Sequence, residues 1–234
     1  MTARRWLVLL AAVLAAALTA RLGFWQLDRA AQKLALQAAI DGQAHKPALG
    51  NADLAGADLH RRVELRGTWV PERTVWLDNR PMDGRAGFYV VTPLRLAGRA
   101  DAILVQRGWA PRHAADRTQL PPLATPAGEV DVQGRLAASP SRLYDLGAGQ
   151  AGAIRQNLDP AAFAQETGLA LLPMTVVQTA AGSDDALLRN WPAPDFGLHK
   201  HYGYAFQWFA LCALILILYV WFQLVRPRLR GRPS

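Results

Sequence analysis

His199, Lys200 and His201 stand at the head of the most apolar stretch of a 234-residue chain, with Tyr202, Tyr204 and Trp208 close behind. Imidazole is the side chain that changes charge near neutral pH and binds metal through either ring nitrogen. If a helix starts near Leu198, then His201, Ala205, Trp208 and Cys212 follow one face, at i, i+4, i+7 and i+11. His201 then lies about one turn outside the apolar core, and the tyrosines and Trp208 supply an aromatic belt. Three chemistries fit these residues: polar contact with lipid headgroups, an axial bond to haem iron with the macrocycle against the apolar side, and proton relay. Residue types alone leave all three open.

Other chemistry is hard to find. The single cysteine, Cys212, sits mid-way along the apolar stretch, so no disulfide can form within the chain. There is no C-x-x-C for a thiolate metal or redox site and no C-x-x-C-H for a covalent haem. Nor is there a G-x-S-x-G, an H-E-x-x-H or a phosphate-binding P-loop. His45, His60 and His113 are scattered in loop-like contexts, and Ser139 and Ser141 flank Pro140 in a turn-like "AASPSRL". Glu64, Asp78, Asp101 and Asp131 fall on strands or at their ends with no paired spacing, and Asp184 and Asp185 sit in a polar loop. Catalysis by this chain is not expected.

The elements that position His201 begin with two apolar segments. "WLVLLAAVLAAALTA" (Trp6–Ala20) carries no charge, and "LGFWQL" follows Arg21; Tyr204–Val225 is uncharged over 22 residues. A bilayer core of ~30 Å takes ~20 helical residues, so the second segment spans it, and the first does if Arg21 snorkels and Phe24 and Trp25 lie in the interface. A cleaved signal peptide ending near Ala15–Ala17 is the competing reading of the first segment, but the apolar run continues beyond that site into an aromatic anchor. Arg4 and Arg5 before the first span, and Arg226, Arg228, Arg230 and Arg232 after the second, place both termini in the cytoplasm by the positive-inside rule. The net charge of +8 thus reads as topology and not as nucleic-acid binding.

Between the spans, Asp28–Ile40 is alanine-rich and continues the first helix outward. Strand signals then repeat at 62–70, 74–80, 87–96, 102–110, 129–138 and 171–180, each a β-branched or aromatic run bounded by Gly, Pro, Asn or Asp. One helix interrupts them in "NLDPAAFAQETGL", with Asp159 as N-cap, Pro160 in the first turn and Gly168 as the stop. In "VQRGWAP", Trp109 either packs on the sheet or joins Arg107 on a surface that meets a partner. The predicted fold is an α+β membrane protein, two transmembrane helices flanking a β-rich external domain, a sheet or small barrel with one helix across it. Its segments are a first span at 6–27, the domain at 28–198, a second span at 199–225 and a basic tail at 226–234.

Four blocks occur in order: "LGFWQLDRAAQK" (Leu22–Lys33), "GFYVVTPL" (Gly87–Leu94), "LVQRGWAP" (Leu104–Pro111) and "HKHYGYAFQWFALC" (His199–Cys212). In these blocks, and in its plan of two spans around a large external domain, the chain resembles the surfeit-locus family of cytochrome c oxidase assembly proteins over almost its whole length. The resemblance implies help in building the haem-copper oxidase, at or before insertion of haem a into subunit I, as a transient haem carrier, a scaffold, or both. The partners implied are haem A synthase as donor, cytochrome c oxidase subunit I as recipient, and the lipid bilayer. The family histidine ahead of "GYAFQWF" corresponds to His201, implied as axial ligand to haem iron, and Trp208 matches the tryptophan beside the haem face. His199 is an additional histidine to which the pattern assigns no role. Asn79 and Arg80 fall in the family's N-R block, and Arg107, Gly108 and Trp109 in its R-G-W block, as fold or partner-docking residues. Gln106 stands where an acidic residue or asparagine is usual.

The expectation is therefore a transient haem a-binding assembly factor, not an enzyme, in a bacterial inner membrane, with its large domain periplasmic. The absence of an amphipathic Arg- and Ser-rich leader favours that membrane over a mitochondrial one. The rival is a non-haem scaffold that grips an oxidase assembly intermediate, with Trp109 and its neighbours carrying the binding and His201 an interface residue.

Overall fold

The structure is a computed structural model that describes residues 3–116, 118–143, 152–180, 185–192, 197–226 and 228. Most of the predicted basic tail at 226–234, together with Ser183 and Asp184, lies outside the described residues. The chain divides into two units, Met1–Ala39 with Pro194–Ser234, and Ile40–Ala193.

The first unit is built on helix α1 (Ala3–Ala44) and helix α3 (Leu198–Val220), which passes into a π-helical turn at Trp221–Val225. At 1.5 Å per residue, about 42 Å of helix runs from Leu198 to Val225, more than a ~30 Å hydrocarbon core requires. Both α1 and the Leu198–Val225 segment are long and apolar enough to cross a membrane. The predicted boundary at 27/28 falls inside α1, which runs unbroken to Ala44. The reason is local: Asp28–Ile40 is made of alanine, leucine, glutamine and other good helix formers, and no glycine or proline interrupts it before Gly42.

Three contacts set the pairing of the two helices. Cys212 Sγ donates to the Ala16 carbonyl at 3.4 Å, Phe24 meets Phe209 edge-on at 5.2 Å, and His201 Nδ1 lies 2.7 Å from Gln26 Oε1. Positions rise along α1 as they fall along α3, so the pair is antiparallel. Close approach depends on small side chains along α1, where Ala16, Thr19 and Gly23 are buried. A Cβ on Gly23 would lie 2.8 Å from the Phe209 ring, so a larger residue there would require that ring to shift. Thr19 satisfies its hydroxyl by donating back to the Ala15 and Ala16 carbonyls at 2.9 and 3.0 Å.

The second unit is a closed five-stranded barrel with a side flap. Its strands are β1 (Arg62–Trp69), β2 (Val75–Leu77), β3 (Gly87–Leu96), β4 (Ala102–Pro111), β5 (Glu129–Ala137), β6 (Ile154–Arg155) and β7 (Leu171–Gln178). Neighbours run β1-β5-β7-β4-β3, and β3 closes the ring by pairing its last residues with β1, Gly67 opposite Leu96 and Trp69 opposite Leu94. All barrel pairs are antiparallel except β4 with β7. The length of β3 lets its first half pair with β2, which carries β6 as a parallel outer neighbour.

Strict alternation on β1 sends Val63, Leu65, Gly67 and Trp69 inward and polar residues out, the period-2 signature of a strand with one wet face. These residues join Leu94, Leu96, Ile103, Val105, Val132, Leu136 and Val176 in the barrel interior. The middle strands β3 and β4 are buried on both faces, because a second apolar cluster, including Leu158, Phe163 and Trp109, covers their outer side. Phe163 comes from helix α2 (Pro160–Thr167), which starts at Asp159, whose Oδ1 accepts from the Ala161 and Ala162 amides, and stops at left-handed Gly168. Short β6 carries no sequence signal because two residues are too few to show a period.

Candidate functional site

His201 lies one turn into α3, half-buried, while His199 and Lys200 beside it are exposed. Its Nδ1 is tied to Gln26 on α1, and Nε2 meets no protein hydrogen-bond partner among the described residues. Ala205 is buried on the same face, with Trp208 half-buried seven residues on and Cys212 below it. An imidazole with one nitrogen anchored and the other without a protein partner has one donor atom to offer a ligand. Among the described residues no group of three or more His, Cys, Asp or Glu side chains could hold a metal ion.

The domain residues singled out in the sequence gather into one structural knot. Asn79 adopts a left-handed backbone (φ 60°), which asparagine tolerates better than most residues, and turns the chain out of β2. That turn tucks Arg80 inward, where Nη2 donates to the Ser141 and Gln156 carbonyls at 2.7 and 2.8 Å. The Arg80 carbonyl accepts the Trp109 indole N–H at 2.7 Å, so the N-R and R-G-W blocks meet directly. Burial pulls the Arg80 guanidinium below its ordinary value, partly offset by Tyr89, and burial likewise pushes the Tyr89 phenol up.

Arg107 is the extra residue of a β-bulge, since Val90 pairs with Gly108 and Val91 with Gln106. Its guanidinium stacks 4.7 Å from the Trp69 ring centre and donates to Thr125 Oγ1 and the Ala124 carbonyl, both at 2.8 Å. Asp185 Oδ2 lies 3.4 Å from Arg107 and 2.6 Å from Arg189. Burial pulls the Arg107 guanidinium down, and the Asp185 carboxylate offsets part of that. The returning segment at 187–188 crosses Gly108, where a Cβ would lie 2.6 Å from Leu187 Cβ, and Leu188 exchanges two backbone hydrogen bonds with Trp109.

Of the two readings of this block, burial fits packing within the domain: Trp109 is 0% and Arg107 1% exposed. Asp185, expected in a polar loop, is 3% exposed and paired with two arginines. Arg189 is four residues on, but Arg107 lies 78 positions away, so no local pattern signals that half of the pairing. Gln106 donates Nε2–H to Thr175 Oγ1 at 3.3 Å and so bridges β4 to β7. The scattered histidines stay apart: His45 Nδ1 lies 2.6 Å from the Asp41 carbonyl, His113 accepts from the Asp116 amide, and His60 sits in a left-handed turn. Gln26 is the one residue at the His201 site that sequence reasoning missed as a participant. Its place on α1 between Gly23 and Ala30, in the three-four spacing of the buried positions, was the available signal.

In chain order, a β-barrel domain lies between two helices long and apolar enough to cross a membrane. The chain belongs to the SURF1 family, whose model matches residues 13–213. A SURF1-like protein of Monosiga brevicollis is 26% identical over 86% of this chain and 82% of its own length, and one of Drosophila melanogaster is 27% identical over 91% and 76%. A SURF1-like protein of Rickettsia felis is 32% identical over 38% of this chain, and that match spans 39% of the Rickettsia protein.

Proposed function

We propose that this chain is an assembly factor for cytochrome c oxidase that takes haem a from haem A synthase, holds it through His201, and passes it to oxidase subunit I. One observation carries the reading: in a SURF1-family chain, an imidazole with Nδ1 anchored and Nε2 open lies one turn into a membrane-length helix. Haem a, when bound, would supply a Lewis-acidic iron and an apolar macrocycle. His201 Nε2 would hold the iron, and the indole of Trp208, about 10 Å further along the same helix face, would be the apolar neighbour of the macrocycle. A single ligand suits a carrier, because release then requires breaking one coordinate bond. The chain makes and breaks no covalent bond in this role and is not an enzyme.

Arg4 and Arg5 at one end and Arg226 and Arg228 at the other support a cytoplasmic location for both termini and a periplasmic one for the barrel, in a bacterial inner membrane. The lipid bilayer is the remaining partner: among the described residues, every exposed large hydrophobic side chain except Leu59 lies on α1 or between Tyr202 and Leu224.

The test is an absorption spectrum with haem extraction, on protein purified in mild detergent from cells that make haem A, as wild type and His201→Ala. The expected result is a haem a band in the wild type that is absent from a folded His201→Ala variant. A colourless wild type despite ample haem A would sink the carrier reading and leave a non-haem scaffold.

A further inference from the structure

The bond between Gln26 and His201 joins residues 175 positions apart, and its chemistry fixes more than position. The amide oxygen of Gln26 faces Nδ1 at 2.7 Å, and an amide oxygen carries no hydrogen to give. With the amide oxygen turned to the ring, a neutral imidazole carries its proton on Nδ1, which leaves Nε2 with a bare lone pair. Nothing among the described residues is bonded to Nε2, so in that tautomer it is the ring atom left to act as a donor.

The helix pairing around it is specific. Gly23 lets Phe209 approach to where a Cβ would lie 2.8 Å from its ring, and Cys212 Sγ donates to the Ala16 carbonyl. These contacts set the register that brings Gln26 level with His201. On α1 it follows the buried alanine, threonine and glycine positions at the same spacing, as the polar member of an otherwise small-residue seam. A second partner on the far ring nitrogen is the usual way a metal-binding imidazole is oriented and made more basic.

We infer that Gln26 is the positioning residue of the His201 site, holding the ring in its Nδ1–H form so that Nε2 is presented as the donor. Its purpose rests on the haem reading above, but the tautomer does not, and the two are separable by experiment. The full chain, labelled with nitrogen-15 histidine and held in mild detergent without haem, reports each ring's tautomer by long-range proton-nitrogen correlation, with His201 assigned by its loss in His201→Ala. The expected result is Nδ1–H for His201 in the wild type and in Gln26→Glu, which keeps an acceptor oxygen, with a shift toward Nε2–H in Gln26→Leu. Nε2–H in the wild type, as an amide turned the other way would give, overturns the inference. So does a tautomer unmoved in Gln26→Leu.

Haem a titration of the same proteins then tests the role. Gln26→Leu should weaken binding about 10- to 100-fold while Gln26→Glu stays near wild type. Equal affinity of wild type and Gln26→Leu overturns the positioning role even if the tautomer is as expected. A wild type with the Nδ1–H tautomer that takes up no haem a overturns the carrier reading and its use of Gln26 while leaving the tautomer assignment standing.

Discussion

Trp109 and Asp185 show how much of this domain hangs on buried polar atoms. The Trp109 indole N–H and the Arg80 carbonyl are each other's partners in a site without water access, at 2.7 Å. Trp109→Phe removes the donor and also part of the volume the indole fills, so it should cost at least about 1–3 kcal/mol, the penalty of one unsatisfied buried group, with a cavity cost added. Chemical denaturation of the full chain in detergent would measure it, and a change below a few tenths of a kcal/mol would refute the argument. Asp185 is the carboxylate between Arg107 and Arg189, all three side chains nearly sealed. Asp185→Asn leaves two buried guanidiniums facing a neutral amide and should cost about 3–5 kcal/mol, the range for breaking a buried pair. The R-G-W block is therefore a fastening inside the domain: its arginine stacks on Trp69, its glycine makes room for Leu187, and its tryptophan ties β4 to the turn at Arg80.

Between the two membrane-length helices, the contact depends on small side chains over one stretch of α1. Cys212 Sγ lies 3.4 Å from the Ala16 carbonyl, and it is the chain's sole cysteine. An Ala16→Cys variant should therefore form a disulfide with Cys212 under mild oxidation, read as loss of both thiols to a maleimide label. Adding Gly23→Leu to that variant should reduce the cross-link several-fold, because the new side chain meets the Phe209 ring, which even a Cβ would force to shift. Cross-linking that Gly23→Leu leaves untouched would show that the helices pair by some other face. In the barrel the comparable device is the bulge at Arg107, which breaks the β3–β4 register and turns the arginine toward Trp69.

Over the whole molecule, acid should act in two stages. Burial, with Arg135 adding to it, holds the folded-state value of His60 below 6.5, so the unfolded chain takes up a proton there before the folded chain does. Stability from this site is complete above about pH 6.5 and is lost as pH falls from there through the lower folded value. Asp101 and Glu166 are held below the carboxylate range, chiefly by hydrogen bonds from Arg99 and Arg155. Their contribution is present above about pH 4 and goes only as pH falls through their depressed values. His60→Asn keeps a residue that tolerates the left-handed backbone at φ 68° and removes the titrating ring. The slope of Tm between about pH 6.5 and 5 should flatten in that variant while the loss below about pH 4 remains. An identical Tm profile for wild type and variant would rule His60 out.

The two apolar helices, the strands at 62–69, 87–96, 102–111, 129–137 and 171–178, and the Asp159-to-Gly168 helix were all legible in the chain. Each depends on near neighbours: composition over a span, alternation over eight residues, or a cap and a stop. His201, Ala205, Trp208 and Cys212 were legible as one face for the same reason, since helical period is a local property. Closure of the barrel was not, because pairing Gly67 with Leu96 and running β7 parallel to β4 bring together residues that no local period relates. The pairings of Gln26 with His201 and of Asp185 with Arg107 were hidden for the same cause, the partners lying 175 and 78 positions apart. Whether Trp109 faces a partner or the core also lay beyond reach, because a Gly-Trp pair at a strand end reads alike in both settings. The answer came when the 187–188 segment folded across Gly108 and sealed the ring in. Local propensity is written along the chain, whereas burial of a given atom is a property of what returns to cover it.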